Sequence, residues 1–272
     1  KNHSFLFMIQ SIKNKLSEKY GIKTSELDLV KTRGGGTGKI LFFAFSSHQE
    51  TPFLCIKLSS LECYNDLIKS EFNSLASAKN SLPDNLKTSV PNPLELANIN
   101  GHLIALEEFV SGRQASAQMD SRDLKKTFDW LCQFHKANIV GKKAVSKEFL
   151  NEVLSKYKLR DITDNYVLEI LEIWGDRSVE MPIIKQHGDF HFANVFFQSK
   201  ALKVIDWANY GKVVLPAYDL VFFLRRQKGG IEANKKMIID YFSYFSISEE
   251  ILEPWVKILS IVEKLEKCLR KK

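Results

Sequence analysis

Residues 182–207 read PIIKQHGDFHFANVFFQSKALKVIDW, and the reading of the whole chain turns on them. Two apolar runs, Val195-Phe196-Phe197 and Leu202 to Ile205, flank the polar stretch Gln198-Ser199-Lys200-Ala201, which predicts a β-hairpin. With the turn centred near Lys200, Asn194 on the incoming strand faces Asp206 on the outgoing one. Directly opposed side chains in such a ladder sit about 4.5–5.5 Å apart at Cβ. An amide oxygen and a carboxylate are hard ligands, suited to Mg2+ rather than to a soft metal. Asp189 precedes Asn194 in the loop that feeds the hairpin. The arrangement points to metal-assisted chemistry on a phosphate.

Working outward, the composition is that of a globular protein. The 272 residues, 44% hydrophobic and 26% charged, suffice for one large domain or two lobes with ample core. No apolar run approaches the ~20 residues of a membrane span, and the opening KNHSFLFMIQSIKNKL lacks the features of a signal peptide. Cys55, Cys63, Cys132 and Cys268 form no CxxC pair, so free thiols in a reducing compartment, the cytoplasm, are expected. The net charge of +7 is uneven: 13 Lys+Arg stand against 12 Asp+Glu up to residue 120, and 26 against 20 after it. The basic residues are dispersed and not interleaved with an aromatic platform, so nucleic acid is not an expected partner. A solvated surface or attraction to an anionic substrate accounts for them better.

From the N-terminus, Phe5, Leu6, Met8, Ile9, Ile12 and Leu16 fall at helical spacing, and Gly21 closes that helix. Three β-like runs follow, LDLVKT, KILFFAF and PFLCIKL. Between the first two lie Gly34, Gly35, Gly36, Thr37 and Gly38, whose backbone can approach a phosphate closely. Neither the P-loop nor the dinucleotide spacing is met, so by itself this is a glycine-rich turn between strands. Lys57 ends the third run. An amine there either binds phosphate as a point charge or extends its stem to water. A helix near 61–80 carries Tyr64, Ile68, Phe72 and Leu75 as its stripe, with Glu71 beside it and able to pair with Lys57. Strands near 93–98 and 102–109 complete a five-stranded first half, and Ser111-Gly112-Arg113 makes a joint. After Ser121 the pattern is mostly helical: Asp123 to Ala137 with His135 on its packed face, further helices over 147–175, one beginning at Pro216 with Asp219 in its first turn, and two near 231–244 and 248–270.

These residues together resemble the aminoglycoside phosphotransferase and choline kinase group. Gly34–Gly38 is similar to the phosphate-covering loop, Lys57 and Glu71 to the strand lysine and its helix partner, and Leu106 to Val110 with Gly112 to the hinge that holds adenine by its backbone. His187-Gly188-Asp189 with Asn194 matches HGDxxxxN, and Val204-Ile205-Asp206-Trp207 matches the IDW variant of DFG. Phe192-Ala193 replaces the Pro-Gly that many relatives carry. The resemblance implies a bilobal α+β protein-kinase-like fold, with a nucleotide-binding lobe over 1–109 and a helical lobe over 110–272. It implies a small-molecule kinase that uses ATP, or alternatively GTP, with Mg2+. In that reading Asp189 is the catalytic base and Asn194 and Asp206 are the metal ligands. Gly34, Gly35, Gly36, Thr37, Gly38, Lys57, Glu71, Glu108 and Val110 bind nucleotide. His187 and Asp219 support the loop, and His191 and Arg225 meet the acceptor, a small hydroxylated molecule.

Two other readings stand beside it. His187-x-Asp189-x-His191 offers ligands at alternate positions for Zn2+ in a metal-dependent hydrolase, but that leaves Lys57, Glu71 and Asp206 without a role. A catalytically silent kinase-like scaffold would bind nucleotide without turnover. As to the acceptor, polycations such as aminoglycosides need many carboxylates, and the basic balance after residue 120 argues for a neutral or anionic one.

Overall fold

The computed structural model describes residues 2–32, 38–47, 49–155, 161–199 and 201–270. The chain groups into two compact units, Lys1–Arg113 with Phe196–Ala208, and Gln114–Val195 with Asn209–Lys272.

In the first unit, α1 (Asn2–Tyr20) ends where Gly21 turns left-handed (φ 67°) and donates its N–H to the Ser17 carbonyl at 2.9 Å. Strands β1 (Leu27–Lys31), β2 (Lys39–Ser46), β3 (Leu54–Ser59), β4 (Pro93–Ile99) and β5 (His102–Glu108) form an antiparallel sheet in the order β1-β2-β3-β5-β4. The two-residue period of the strands gives this sheet two distinct faces. Phe42, Ala44, Leu54, Ile56, Leu58, Ile104 and Leu106 line one and bury against Met8, Ile12 and Leu16 of α1. Each such aliphatic side chain contributes about 1.5–3 kcal/mol when taken fully out of water. Leu41, Phe43, Cys55, Lys57, Ala105 and Glu107 alternate onto the other face. There α2 (Asn65–Ser81) packs with Ile68, Glu71, Leu75 and Ala78 buried. Its start is pinned by Asn65, whose Oδ1 accepts from Ser59 Oγ (2.6 Å) and Leu103 N–H (2.7 Å) while Nδ2 donates to the Gly101 carbonyl (2.7 Å). A single turn, α3 (Asp84–Lys87), precedes β4.

The second unit is mostly helical. It contains α4 (Ser121–Ala137), α5 (Lys147–Leu154), α6 (Asp161–Trp174), α7 (Tyr218–Leu224), α8 (Gly230–Ala233), α9 (Lys235–Tyr244) and α10 (Leu252–Arg270). Its core includes Trp174 against Trp255 edge-on (5.3 Å between centroids), with Trp255 Nε1 donating to the Pro216 carbonyl at 3.0 Å. Three strands were not anticipated. After the two-residue β6 (Arg113–Gln114), β7 (Ile139–Val145) pairs antiparallel with β8 (Val179–Ile184). Of β7 only Val145 is buried, so the strand shows no apolar alternation, and β8 carries Pro182. The helix expected over 231–244 divides at Asn234 into α8 and α9.

The opening stretch does form a hairpin, β9 (Val195–Phe197) and β10 (Leu202–Val204), in a sheet ordered β10-β9-β6. Gln198 N–H donates to the Ala201 carbonyl at 2.9 Å across the turn, and Lys200 lies outside the described residues. The strands are shorter than the sequence suggests. Asn194 closes the 3-10 turn Phe192–Asn194 before β9, and Asp206 follows β10 with a left-handed backbone (φ 64°), so neither is a strand residue opposed across the ladder. Among the described residues no helix is long and apolar enough to cross a membrane.

Candidate active site

Lys57 stands on the mixed face of the first unit's sheet, its side chain only 14% exposed, within reach of two carboxylates. Its Nζ is 2.6 Å from Glu71 Oε1 on α2 and 2.9 Å from Glu107 Oε2 on β5. The other oxygen of Glu71 takes Lys39 Nζ at 2.8 Å. Burial disfavours the ammonium of Lys57, but the carboxylates of Glu107 and Glu71 outweigh it and hold the group well above the usual lysine value. Burial likewise opposes the charge on Glu71, yet Lys57 and Lys39 together bring its carboxyl below the usual range. Asp206 lies close enough for its charge to be felt by Lys57 and Glu71.

Sequence reasoning singled out Lys57 and Glu71 but not Lys39 or Glu107. The period of β5 puts Glu107 with Ala105 on the face opposite Leu106, but only the pairing of β5 with β3 brings that face to Lys57. Glu108, its neighbour, is directed elsewhere. Its carboxylate accepts from the Asn92 N–H (3.0 Å) and Nδ2 (2.6 Å) and meets Lys203 Nζ at 3.0 Å. Val110 is buried. Gly38 adopts φ 93°, and a Cβ there would come within 2.6 Å of the Tyr64 ring. Gly34, Gly35, Gly36 and Thr37 lie outside the described residues.

In the second unit the loop His187-Gly188-Asp189 is fixed through its backbone. Asp219, fully buried near the start of α7, accepts from His187 N–H at 2.6 Å and from Gly188 N–H at 2.9 Å. Asp219 N–H in turn donates to Gln186 Oε1 at 3.1 Å. His135 of α4 closes the other side: Nε2 lies 3.3 Å from Asp219 Oδ2, and Nδ1 lies 2.8 Å from the Tyr241 hydroxyl of α9. That hydroxyl also accepts from Ala217 N–H at 3.2 Å. Burial lowers the pKa of His135, with Asp219 opposing, so the ring is neutral at neutral pH and Nε2–H is the natural donor to the carboxylate. His135 is therefore a packed, hydrogen-bonded histidine, as its place on the helix face suggests.

His187 Nδ1 accepts from Asp189 N–H at 3.2 Å, and His191 Nδ1 accepts from Ala193 N–H at 3.2 Å. Asn194 is buried and donates its Nδ2 to the Asp189 carbonyl at 3.0 Å, which turns its amide oxygen, the hard donor, the other way. An amide oxygen such as that of Asn194 and a carboxylate such as that of Asp206 are each hard donors, of the kind that suits Mg2+ rather than a thiophilic metal. Among the described residues no three His, Cys, Asp or Glu side chains gather as metal ligands, and the zinc hydrolase reading has no support. Arg225 is bound to Glu263 of α10 (3.0 Å), which also holds Arg226 (2.9 Å) and Lys267 (2.6 Å). Arg226 lies over the Phe222 ring at 3.5 Å, and His191 is 6.2 Å from the same ring.

The sequence matches the model of a phosphotransferase enzyme family over residues 57–251. No curated protein matches it. Among solved structures, an aminoglycoside phosphotransferase from Streptomyces rimosus superposes with a TM-score of 0.56 at 14% identity, covering 96% of this chain and 98% of that one. The structure of that enzyme in complex with ADP and streptomycin gives 0.53 at 12%, covering 84% and 93%. A choline kinase from Cryptosporidium parvum gives 0.55 at 13%, covering 94% and 85%. At such identities the likeness is one of fold, and the fold is α+β and protein-kinase-like.

Proposed function

The chain belongs to the phosphotransferase enzyme family, and from that premise we propose that it transfers the γ-phosphoryl group of ATP, or alternatively GTP, to a hydroxyl of a small molecule. The observation that carries this reading is the buried Lys57–Glu71 pair at 2.6 Å. A lysine on a largely apolar sheet face is costly to keep charged, and a phosphate-binding role explains why it is held there by a partner that orients it. Lys57 binds the α- and β-phosphates, supported by the backbone of Gly34–Gly38 and by the Glu108–Val110 segment, which takes the base. Asn194 and Asp206 would hold Mg2+, whose charge would offset that of the nucleotide phosphates.

Asp189 orients the acceptor hydroxyl and takes its proton as the acceptor oxygen bonds to the γ-phosphorus. The bond from that phosphorus to the β–γ bridging oxygen breaks, and the diphosphate leaves with the electron pair. Asp219 and His187 hold Asp189 in place through the loop backbone, which is where positioning makes its contribution. His191 lines the acceptor side. Arg225, engaged by Glu263, takes no part that its contacts support. The basic balance of residues 121–272 favours a neutral or anionic sugar, an amino alcohol or a related metabolite over a polycation. The four cysteines are free thiols, consistent with a cytoplasmic setting.

The test is ADP release from the purified protein in the presence of hydroxylated metabolites. Acceptor-dependent release is expected, and Asp189→Ala should cut it by roughly 10²–10⁴-fold while leaving nucleotide binding in place. Nucleotide binding with no acceptor-dependent release across sugars, amino alcohols and related metabolites would favour the scaffold reading. Near-normal turnover in Asp189→Ala would remove Asp189 as the base.

A further inference from the structure

Of the two buried carboxylates beside Lys57, those of Glu71 and Glu107, the second is the less completely satisfied. Glu71 has a cation on each oxygen, Lys57 at 2.6 Å and Lys39 at 2.8 Å. Glu107 has Lys57 alone, on Oε2 at 2.9 Å, and its Oε1 is buried without a hydrogen-bond partner. The residue is 5% exposed. A buried acceptor left unmatched costs about 1–3 kcal/mol, and more when it is charged.

The charges facing Glu107 come from each element around it. Lys57 and Cys55 are on β3, Glu71 on α2, and Asp206 follows β10, while Lys39 on β2 joins the same cluster through the far oxygen of Glu71. Burial pushes the Cys55 thiol up to about 12, so it contributes no charge at neutral pH. Two cations therefore face three carboxylates. Nucleotide phosphates remain anionic even as their magnesium complex, and their approach to Lys57 adds to that surplus. Of the two buried carboxylates, neutralising the one with the poorer hydrogen bonding, Glu107, is the cheaper relief.

Resting on the reading of Lys57 as the phosphate-binding lysine, we propose that Glu107 is a positioning residue for Lys57 that is ionised in the empty protein and takes up a solvent proton when nucleotide phosphates draw on that lysine. The carboxylate gains one hydrogen and becomes a neutral acid. Lys57 keeps Glu71 as its fixed partner and is released from Glu107 toward the phosphates. Burial, working against the pull of Lys57, already raises the Glu107 carboxyl above the usual range, which favours the protonated form.

The experiment is calorimetric titration with magnesium-ADP near neutral pH, in two buffers of different ionisation enthalpy, on the wild type, Glu107→Gln and Glu107→Met. The wild type should take up a substantial fraction of one proton per nucleotide, with affinity falling up to about tenfold per pH unit as pH rises. Both variants should lose that uptake and bind at least as tightly, and Glu107→Met keeps the test available if Glu107→Gln folds poorly. Wild-type binding without proton uptake would overturn the proposal. So would variants that bind more weakly with the proton count unchanged, the result expected of a plain structural ion pair. Failure of the wild type to bind magnesium-ADP at all would instead strike the nucleotide reading, and the proposal with it.

Discussion

Gly188 illustrates how much can rest on one absent side chain. Its φ of 82° is left-handed, and a Cβ there would sit 2.6 Å from the Asn209 carbonyl oxygen, which as backbone cannot swing aside. Gly175 supplies the comparison: φ is 61°, but the nearest atom to a Cβ is 3.7 Å away. Gly175→Ala should therefore cost only the left-handed penalty, about 1 kcal/mol, whereas Gly188→Ala should cost at least about 2 kcal/mol because the collision adds to it. Urea denaturation midpoints of the two variants measure the difference. At this scale the sequence was legible where a motif named the residue, as with Lys57, Glu71 and Asp219. It was not legible for Glu107, because nothing local marks a glutamate in an apolar strand as the partner of a lysine on the neighbouring strand. Only the register of β5 against β3, with Glu107 paired to Cys55 and diagonal to Lys57, makes that contact.

The supporting elements of the loop meet in a buried polar knot. Asp219 of α7 serves two loop N–H groups, and His135 of α4 and Tyr241 of α9 complete it. The sign of its pH dependence follows from His135, whose folded pKa lies below the ordinary value because of burial. As pH falls through the ordinary histidine range near 6.5, the unfolded chain binds a proton that the folded one refuses, so stability falls until the buried ring itself titrates. His135→Gln should flatten the slope of unfolding free energy against pH in that window by up to about 1.4 kcal/mol per unit, read from urea melts at successive pH values. Periodicity indicates α4 and its packed face well, since a long amphipathic helix writes its burial into the sequence. It fails for β7, whose exposed face leaves no apolar rhythm, and for the hairpin strands, which are three residues each. In the hairpin the adjoining 3-10 turn and the left-handed Asp206 replace the extended backbone that simple alternation suggests.

For the whole molecule, a sheet-rich first half followed by a mostly helical second half was readable, and the α+β protein-kinase-like fold is the one shared with the solved phosphotransferases. Ligand linkage gives a test at this scale. Magnesium-ADP at about 100 times its Kd should raise unfolding free energy by about 2.7 kcal/mol. Asp206→Ala should abolish the magnesium-dependent part of that gain, and a variant stabilised as much as the wild type would remove Asp206 from the metal site. What chain order does not reveal is that Phe196–Ala208 belongs with the first unit. Val204 N–H donates to the Ser89 carbonyl at 2.8 Å, Gln198 Nε2 to the Ser111 carbonyl at 3.1 Å, and Lys203 pairs with Glu108. Domains form as their residues leave the ribosome, at about 5–20 residues per second. This unit is missing a piece until more than eighty further residues have been translated after Arg113. During that interval Ser89, Glu108 and Ser111 wait without those partners, and a fragment ending at Arg113 would carry the same vacancy permanently.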